Sequence, residues 1–444
     1  VITIERFIFD FYLSLNNEEQ QMIEDRILMS AWGSNGGADI VVKNLIESLN
    51  KKGISVDRLY HRPETRETTL ITQEGDVHQE NFQNFTRKVD LKRYAAISLH
   101  TCNFWMDEVE RLKAEAPETP ILYHVHSLIA HDILADNLSV GREISRERVL
   151  TYEPCELQTN ILAKADRLVF LTESTREIFR ELYGFLKRKE ENTMIIPNGS
   201  DLYNYSKEER VQKKKGELKE RFGKDAKIIM YSGRIAPPKG ISDLAAAFNQ
   251  TRTKHKDTKL VLLGAPDPGV NLDTHIYSYV KPEFRSDITI TGWVRDKADV
   301  AAHLMAADIV SIPSYHETFC MAALEAIVVG TPTIVGDVEA CHELFVTPEL
   351  AYGVKPGNVT GLSNAIDYII ENQERARESA RKNQIRANTE YAQERVTNKL
   401  LGAYTKALMD KVGSRIQESL ERNDVTTADR LYRELQRMPL NQKK

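Results

Sequence analysis

Short apolar runs alternate with longer amphipathic stretches along this chain, and they do so in two separate regions. In the first region the runs are RILMSAW (26–32), YAAISLH (94–100), ILYHVH (121–126) and RLVFLT (167–172). In the second they are KIIMYSG (227–233), KLVLLG (259–264), ITITGW (288–293), DIVSIPS (308–314) and TPTIVGD (331–337). Each run is short and rich in Ile, Val and Leu, and most lead into a segment with helical period. That pattern predicts β-α-β units and an α/β protein with parallel sheets. In such sheets ligands bind at the carboxyl ends of the strands, where these runs mostly finish in Gly, Ser, Thr or His.

Between the regions lies SKEERVQKKKGELKERFGKD (206–225), dense in charge, which reads as a connector with a surface helix. A boundary is expected near residue 205, with a first domain over 1–205 and a second over 206–384. Beyond residue 360 the pattern is helical. Val396, Leu400, Tyr404 and Leu408 form one apolar stripe. Gly413 is expected to interrupt it, and Ile416, Leu420, Leu431 and Leu435 predict a final helical hairpin turning at 423–424. The polar stretch 61–88 reads as a long loop.

Composition narrows the class. A length of 444 residues allows two or three domains at roughly 150 residues each. Hydrophobic residues at 41% and charged residues at 28% describe a globular chain, and a net charge of -5 gives no basic footprint for nucleic acid. Cys102, Cys155, Cys320 and Cys341 are scattered without a C-x-x-C pair, so a cytoplasmic setting is expected. The opening VITIERFIFDFYLSLNNEEQQMIEDR lacks the basic start and apolar run of a signal peptide. No stretch reaches the ~20 apolar residues of a bilayer span. REIFRELYGFLKRK (176–189) has two readings: a basic amphipathic helix at the inner face of a membrane, or a surface helix packed by its apolar face.

Four segments carry candidate chemistry. In ADIVSIPSYHETFCMAALEAIVVGTPTIV (307–335) a strand, a loop with His316 and Glu317, and a helix over about 319–329 follow in order. The helix N-terminus suits a phosphate, with Glu317 at its mouth and Glu325 roughly 12 Å further along. In YSGRIAPPKGISDL (231–244), Arg234 and Lys239 follow a strand and suit a diphosphate leaving group. SAWGSNGGADIVVKNL (30–45) holds a Gly36–Gly37 turn that permits close approach to a ligand, without matching G-x-G-x-x-G or Walker A. His100, His124 and His126 fall at or near strand ends. No third ligand such as His131 completes a convincing zinc set, and D-x-D, H-E-x-x-H and G-x-S-x-G are missing, so no metal is expected.

Taken in order, GGAD (36–39), His126, PNGSD (197–201), GRIAPPKG (233–240) and PSYHETFCMAALEAIVVGTP (313–332) resemble the motifs of family-4 retaining glycosyltransferases with the GT-B fold. The resemblance spans roughly residues 26–410, including YAQERVTNKLLGAYTKAL (391–408) as the family's closing helices. It implies two Rossmann-like domains facing each other across a cleft, with residues 385–444 crossing back to the N-terminal domain. Arg234 and Lys239 would hold the diphosphate of a nucleotide-sugar, with a UDP-sugar favoured over GDP- or ADP-sugars. Glu325 would bind the ribose and Glu317 the transferred sugar. Backbone N–H groups of Phe319, Cys320 and Met321 would meet phosphate or sugar. Gly37 would close the donor site from the opposite domain, Val294 would contact the base, and His126 would line the acceptor side. The implied reaction is metal-independent hexosyl transfer to a hydroxyl acceptor (saccharide, lipid-linked or small molecule) with retention. Two alternatives share the fold: a non-catalytic partner subunit and a sugar-nucleotide epimerase. Cys320 departs from the family's usual Gly, Ser127 follows His126 where Asp is frequent, and Glu343 lacks its preceding Gly-Gly. The first 25 residues and the hairpin after Gly413 lie outside the resemblance, as capping or oligomerisation elements.

Overall fold

In the computed structural model the described residues are 26–30, 37–62, 64–100, 104, 106–139, 143–187, 190–345, 352–422, 424, 426–428 and 430–431. Gly36, Cys102, residues 1–25, 188–189 and 432–444, and with them Leu435 and the turn residue Asn423, lie outside that set. Two sheets carry the fold. The first contains β1 (Arg26–Ser30), β2 (Ser55–Arg62), β3 (Glu67–Ile71), β4 (Val77–Asn81), β5 (Ala96–Leu99), β6 (Ile121–Val125), β7 (Arg167–Phe170) and β8 (Thr193–Ile195). Its order is β4-β3-β2-β1-β5-β6-β7-β8. The second is β11-β10-β9-β12-β13-β14. Its strands are β9 (Lys227–Ser232), β10 (Thr258–Leu263), β11 (Ile288–Ile290), β12 (Ile309–Ile312), β13 (Thr333–Gly336) and β14 (Tyr352–Val354), and all its pairings are parallel.

The central strands are buried on both faces, which is why they read as unbroken apolar runs: RILMS, AISL, ILYHV, IVSI and TIVG are buried throughout. The first sheet departs from the all-parallel expectation. β3 runs antiparallel to β2 and β4 antiparallel to β3. The stretch 61–88 is therefore not a loop. Gly75 at φ 96° turns β3 into β4, and the helix Phe82–Lys88 follows, its N-terminus capped by the Asn81 side chain. Asp57 is fully buried on β2 because Arg26, Arg93 and the Tyr94 hydroxyl surround its carboxylate.

One further expectation changes. The closing helix runs unbroken over Gln393–Glu421. Gly413 does not stop it, since a helical Gly costs only about 1 kcal/mol and Leu408 and Val412 on the preceding turns are buried with Leu431 of the returning segment. In the amphipathic helix Glu173–Tyr183, Phe179 and Leu182 are buried in the first core, with Ile178 packed against it. Arg176 and Arg180 pair with Glu173. Phe185, at 58% exposure, is the large apolar side chain that this segment leaves outside. The packed-surface reading fits this helix.

The chain passes between the two sheets at two places, and these crossings lie side by side. Ser200 N–H donates to the Tyr391 carbonyl at 2.9 Å and Gln393 N–H to the Ser200 carbonyl at 3.3 Å. A Cβ on Gly199 would stand 2.8 Å from Gln393 Cα, so the crossings touch backbone to backbone. From there the closing helix packs Val396, Leu400, Ala403 and Tyr404 against β1 and the helix Gly37–Asn50.

Candidate active site

Strand order predicts where a ligand should sit. In the second sheet β9 lies between β10 and β12, so the loops after β9 and β12 leave in opposite directions and open a crevice. The corresponding point of the first sheet is β1 beside β5. A cavity of about 880 Å³ occupies the space between the two, lined from both sides.

The loop after β9 carries the cations. Tyr231, buried in the strand, donates its hydroxyl to the Arg234 carbonyl at 2.6 Å. Pro237–Lys239 make one 3₁₀ turn and Gly240 follows at φ 69°. A Cβ at Gly240 would lie 2.1 Å from the Pro313 carbonyl oxygen, so only glycine lets this loop press against the loop after β12. That contact brings Lys239 Nζ to 2.8 Å from Glu317 Oε1. Burial raises the Glu317 carboxyl, but the Lys239 charge and hydrogen bond, with help from Ser314, hold it below its ordinary value. Burial likewise lowers Lys239, and Glu317 more than reverses it. The pair is therefore charged at neutral pH. Arg234, half exposed, leans on Asp267 from the loop after β10.

The helix Met321–Val328 starts at the cavity. Its cap, Cys320, sits at φ 63° and ψ 67°, the left-handed region that favours glycine. A Gly would take this conformation without strain, and here a Cys adopts it. The helix's first N–H groups have no acceptor within the helix and face the cavity lining formed by Phe319, Cys320, Met321 and Ala322. One turn further on, Glu325 is half-buried, and burial with the nearby Asp201 raises its carboxyl to about 7 against the opposing pull of Lys297.

From the first sheet, the helix Gly37–Asn50 presents Ile40, Lys43, Asn44 and Glu47 to the cavity. Gly37 is its first residue, and Ile40, one turn on, lines the space. Lys297 crosses from the second region to reach Glu47 Oε2 at 2.9 Å and Asp201 Oδ2 at 3.0 Å. This trio was invisible in the sequence, because its members come from three segments with no common motif. Val294 and the 46%-exposed Trp293 form part of the rim.

His126 follows β6 and lines the cavity, and its carbonyl accepts from Thr318 Oγ1 at 2.5 Å. His100 and His124 stack at 4.0 Å between ring centroids, and His100 Nδ1 lies 2.8 Å from His126 Nε2. Burial pushes His126 down to about 4, and burial with the neighbouring imidazoles pushes His100 well below its ordinary value, so these rings are neutral at neutral pH. Glu343 accepts the N–H groups of Glu173 at 2.9 Å and Ser174 at 2.8 Å, so it caps a helix of the first region from the second. Of the residues singled out from sequence, His126, Arg234, Lys239, Val294, Glu317, Phe319, Cys320, Met321 and Glu325 all line one cavity. Among the described residues no cluster of three or more His, Cys, Asp or Glu is arranged to hold a metal ion.

The chain is similar to known proteins over much of its length. Residues 212–387 match the family model for glycosyl transferases group 1. A D-inositol 3-phosphate glycosyltransferase of Kineococcus radiotolerans is 23% identical over 340 residues, covering 69% of this chain and 74% of that protein. The mannosylfructose-phosphate synthase of Agrobacterium fabrum is 27% identical over 273 residues, 58% of this chain and 56% of its own length. Among solved structures, the sucrose-phosphate synthase of Thermosynechococcus elongatus superposes with a TM-score of 0.66 at 20% identity, over 86% of this chain and 98% of that one. Anabaena HepE in complex with UDP-glucose gives 0.64 at 17% identity, over 86% and 99%. The match to the group 1 glycosyltransferase model covers the second of the two α/β domains, and the whole chain has the GT-B architecture.

Proposed function

We propose that this chain is a glycosyltransferase that moves a hexosyl unit from a nucleotide-diphosphate sugar to a hydroxyl acceptor, with retention and without a metal. The observation that carries the reading is the meeting of Arg234, the buried Lys239–Glu317 pair and the open start of the helix Met321–Val328 in one cavity. Two cations and a helix N-terminus suit a diphosphate and offset its charge as it leaves. Glu325 accepts from the ribose hydroxyls, Val294 borders the base, and Glu317 meets the transferred sugar. Phe319, Cys320 and Met321 supply backbone donors, and Gly37 closes the phosphate side through the start of its helix. The acceptor hydroxyl approaches from the side of His126. It attacks the anomeric carbon on the face that the diphosphate leaves, and the departing phosphate oxygen takes its proton. A UDP-sugar is the favoured donor, a choice supported by the UDP-glucose bound to the Anabaena structure.

In this reading residues 206–384 bind the donor, while 1–205 with 385–444 bind the acceptor. The enzyme works in the cytoplasm. Among the described residues no helix is long and apolar enough to cross a membrane. The deciding experiment offers UDP-, GDP- and ADP-sugars and measures donor hydrolysis and protection against thermal unfolding. Protection by one donor class, lost in Arg234→Ala plus Lys239→Ala, is expected. Undiminished turnover in that double variant would sink the site, and binding without turnover toward any acceptor would favour a partner subunit.

A further inference from the structure

We infer that a hydrogen-bond chain from the closing helix sets which nitrogen of His126 carries its proton, making Tyr404, Ser98 and His100 positioning residues for that imidazole. The inference rests on the proposed reading of His126 as the side chain that meets a sugar or acceptor hydroxyl. The chain is continuous. Tyr404 Oη lies 2.8 Å from Ser98 Oγ, Ser98 Oγ 3.0 Å from His100 Nε2, and His100 Nδ1 2.8 Å from His126 Nε2. Ser98, His100 and Tyr404 are all buried, so water does not compete for these groups. The His100 N–H also donates to Ser30 Oγ at 2.8 Å, which pins the end of β5 beside β1.

Proton direction follows from counting donors. A neutral imidazole has one N–H and one bare nitrogen. Among the described residues the Tyr404 hydroxyl has Ser98 as its partner, and a buried hydroxyl left without an acceptor is costly. Tyr404 therefore donates to Ser98. The Ser98 proton then goes to His100 Nε2, which leaves His100 with its proton on Nδ1. That N–H donates to His126 Nε2, so His126 must carry its own proton on Nδ1. His124 does not enter the chain. It stacks on His100, and its Nε2 has no hydrogen-bond partner among the described residues.

The consequence is chemical. With Nε2 already occupied, His126 offers a ligand an N–H rather than a basic lone pair. It holds a hydroxyl oxygen in place and does not take the proton, which leaves deprotonation of the acceptor to the departing phosphate. The closing helix, remote in sequence from every donor-site motif, thereby decides a property of the acceptor side.

The test is nitrogen-15 NMR of the full chain with labelled histidine, assigned with His126→Gln, alongside kinetics of Tyr404→Phe and Ser98→Ala. The expected wild-type spectrum shows His100 and His126 neutral and protonated at Nδ1. Each variant should shift His126 toward a mixture of tautomers and lower kcat about fivefold, with donor KM unchanged. His100→Asn, which keeps an amide donor toward His126, should retain more activity than His100→Leu. A wild-type His126 protonated at Nε2, or variants that leave both spectrum and kcat unaltered, would overturn the relay. Full transfer by His126→Ala would overturn instead the placement of His126 in the site. The wild-type spectrum reads the relay without depending on how any variant folds.

Discussion

Removing one partner of the Lys239–Glu317 pair should cost more than removing both. The ammonium and carboxylate stand 2.8 Å apart, with side-chain exposures of 23% and 14%. Deleting one member of a fully buried pair costs about 3–5 kcal/mol, because the other charge is left desolvated. These side chains still border the open cavity, so about 2 kcal/mol is the expected penalty for Lys239→Met. At about 2–4 °C per kcal/mol for a domain of this size, Tm falls by about 4–8 °C. Glu317→Gln should act in the same direction, since burial then lowers the unpaired Lys239. The double variant should recover about 3 kcal/mol relative to the sum of the singles, and so cost less than either. Differential scanning fluorimetry with and without UDP reads all four proteins. UDP should protect Glu317→Gln more than the wild type, because the diphosphate supplies the counter-charge that Lys239 has lost and no longer faces Glu317. Transfer should nonetheless collapse in every variant. Additive losses of stability would refute the coupling, and equal UDP protection would refute the placing of the diphosphate beside Lys239.

Other expected outcomes follow from the same geometry. The Glu325 carboxyl is raised from 4.5 to about 7, so the stability it contributes is fully present below pH 4.5 and is lost as pH rises through about 7. Denaturant titrations across that window should show a decline that Glu325→Gln flattens. Lys297→Met removes the one charge that opposes this rise and the link to Glu47, so the decline should move above pH 7 in the same titrations. Gly240→Ala must accommodate a Cβ 2.1 Å from the Pro313 oxygen at φ 69°, and should cost about 3 kcal/mol and most donor protection, measured by unfolding with and without UDP.

What could be read from sequence was decided by burial. Strands such as IVSI and TIVG are covered on both faces and stand out as apolar runs. β2 escaped notice because its sequence, SVDRLYHR, hides a buried Asp57 among charged neighbours, and its alternation looks polar until Arg26 and Arg93 are known to neutralise it. β4, VHQEN, is an exposed edge with no apolar pattern at all. At the site, Arg234, Lys239, Glu317 and Glu325 were legible because each follows a strand at a fixed offset, and the fold delivers all four to one crevice. Lys297, Glu47 and Asp201 were not, since nothing local marks a cluster assembled from three distant segments. Gly413 misled because propensity is a weak local term, overridden by the packing of Val412 and Leu431.

The adjacency of the two crossings at Ser200 and Ala392 has a mechanical meaning. Two connectors set far apart would each constrain a different axis and lock the halves together. Bound to each other by two backbone hydrogen bonds, they form one connection at one place. Lys297 to Glu47, Thr318 to His126 and Glu343 to the start of the Glu173 helix also join the two halves, by side-chain contacts. Any rotation about the backbone contact must first break these three, so they are the latches of that hinge.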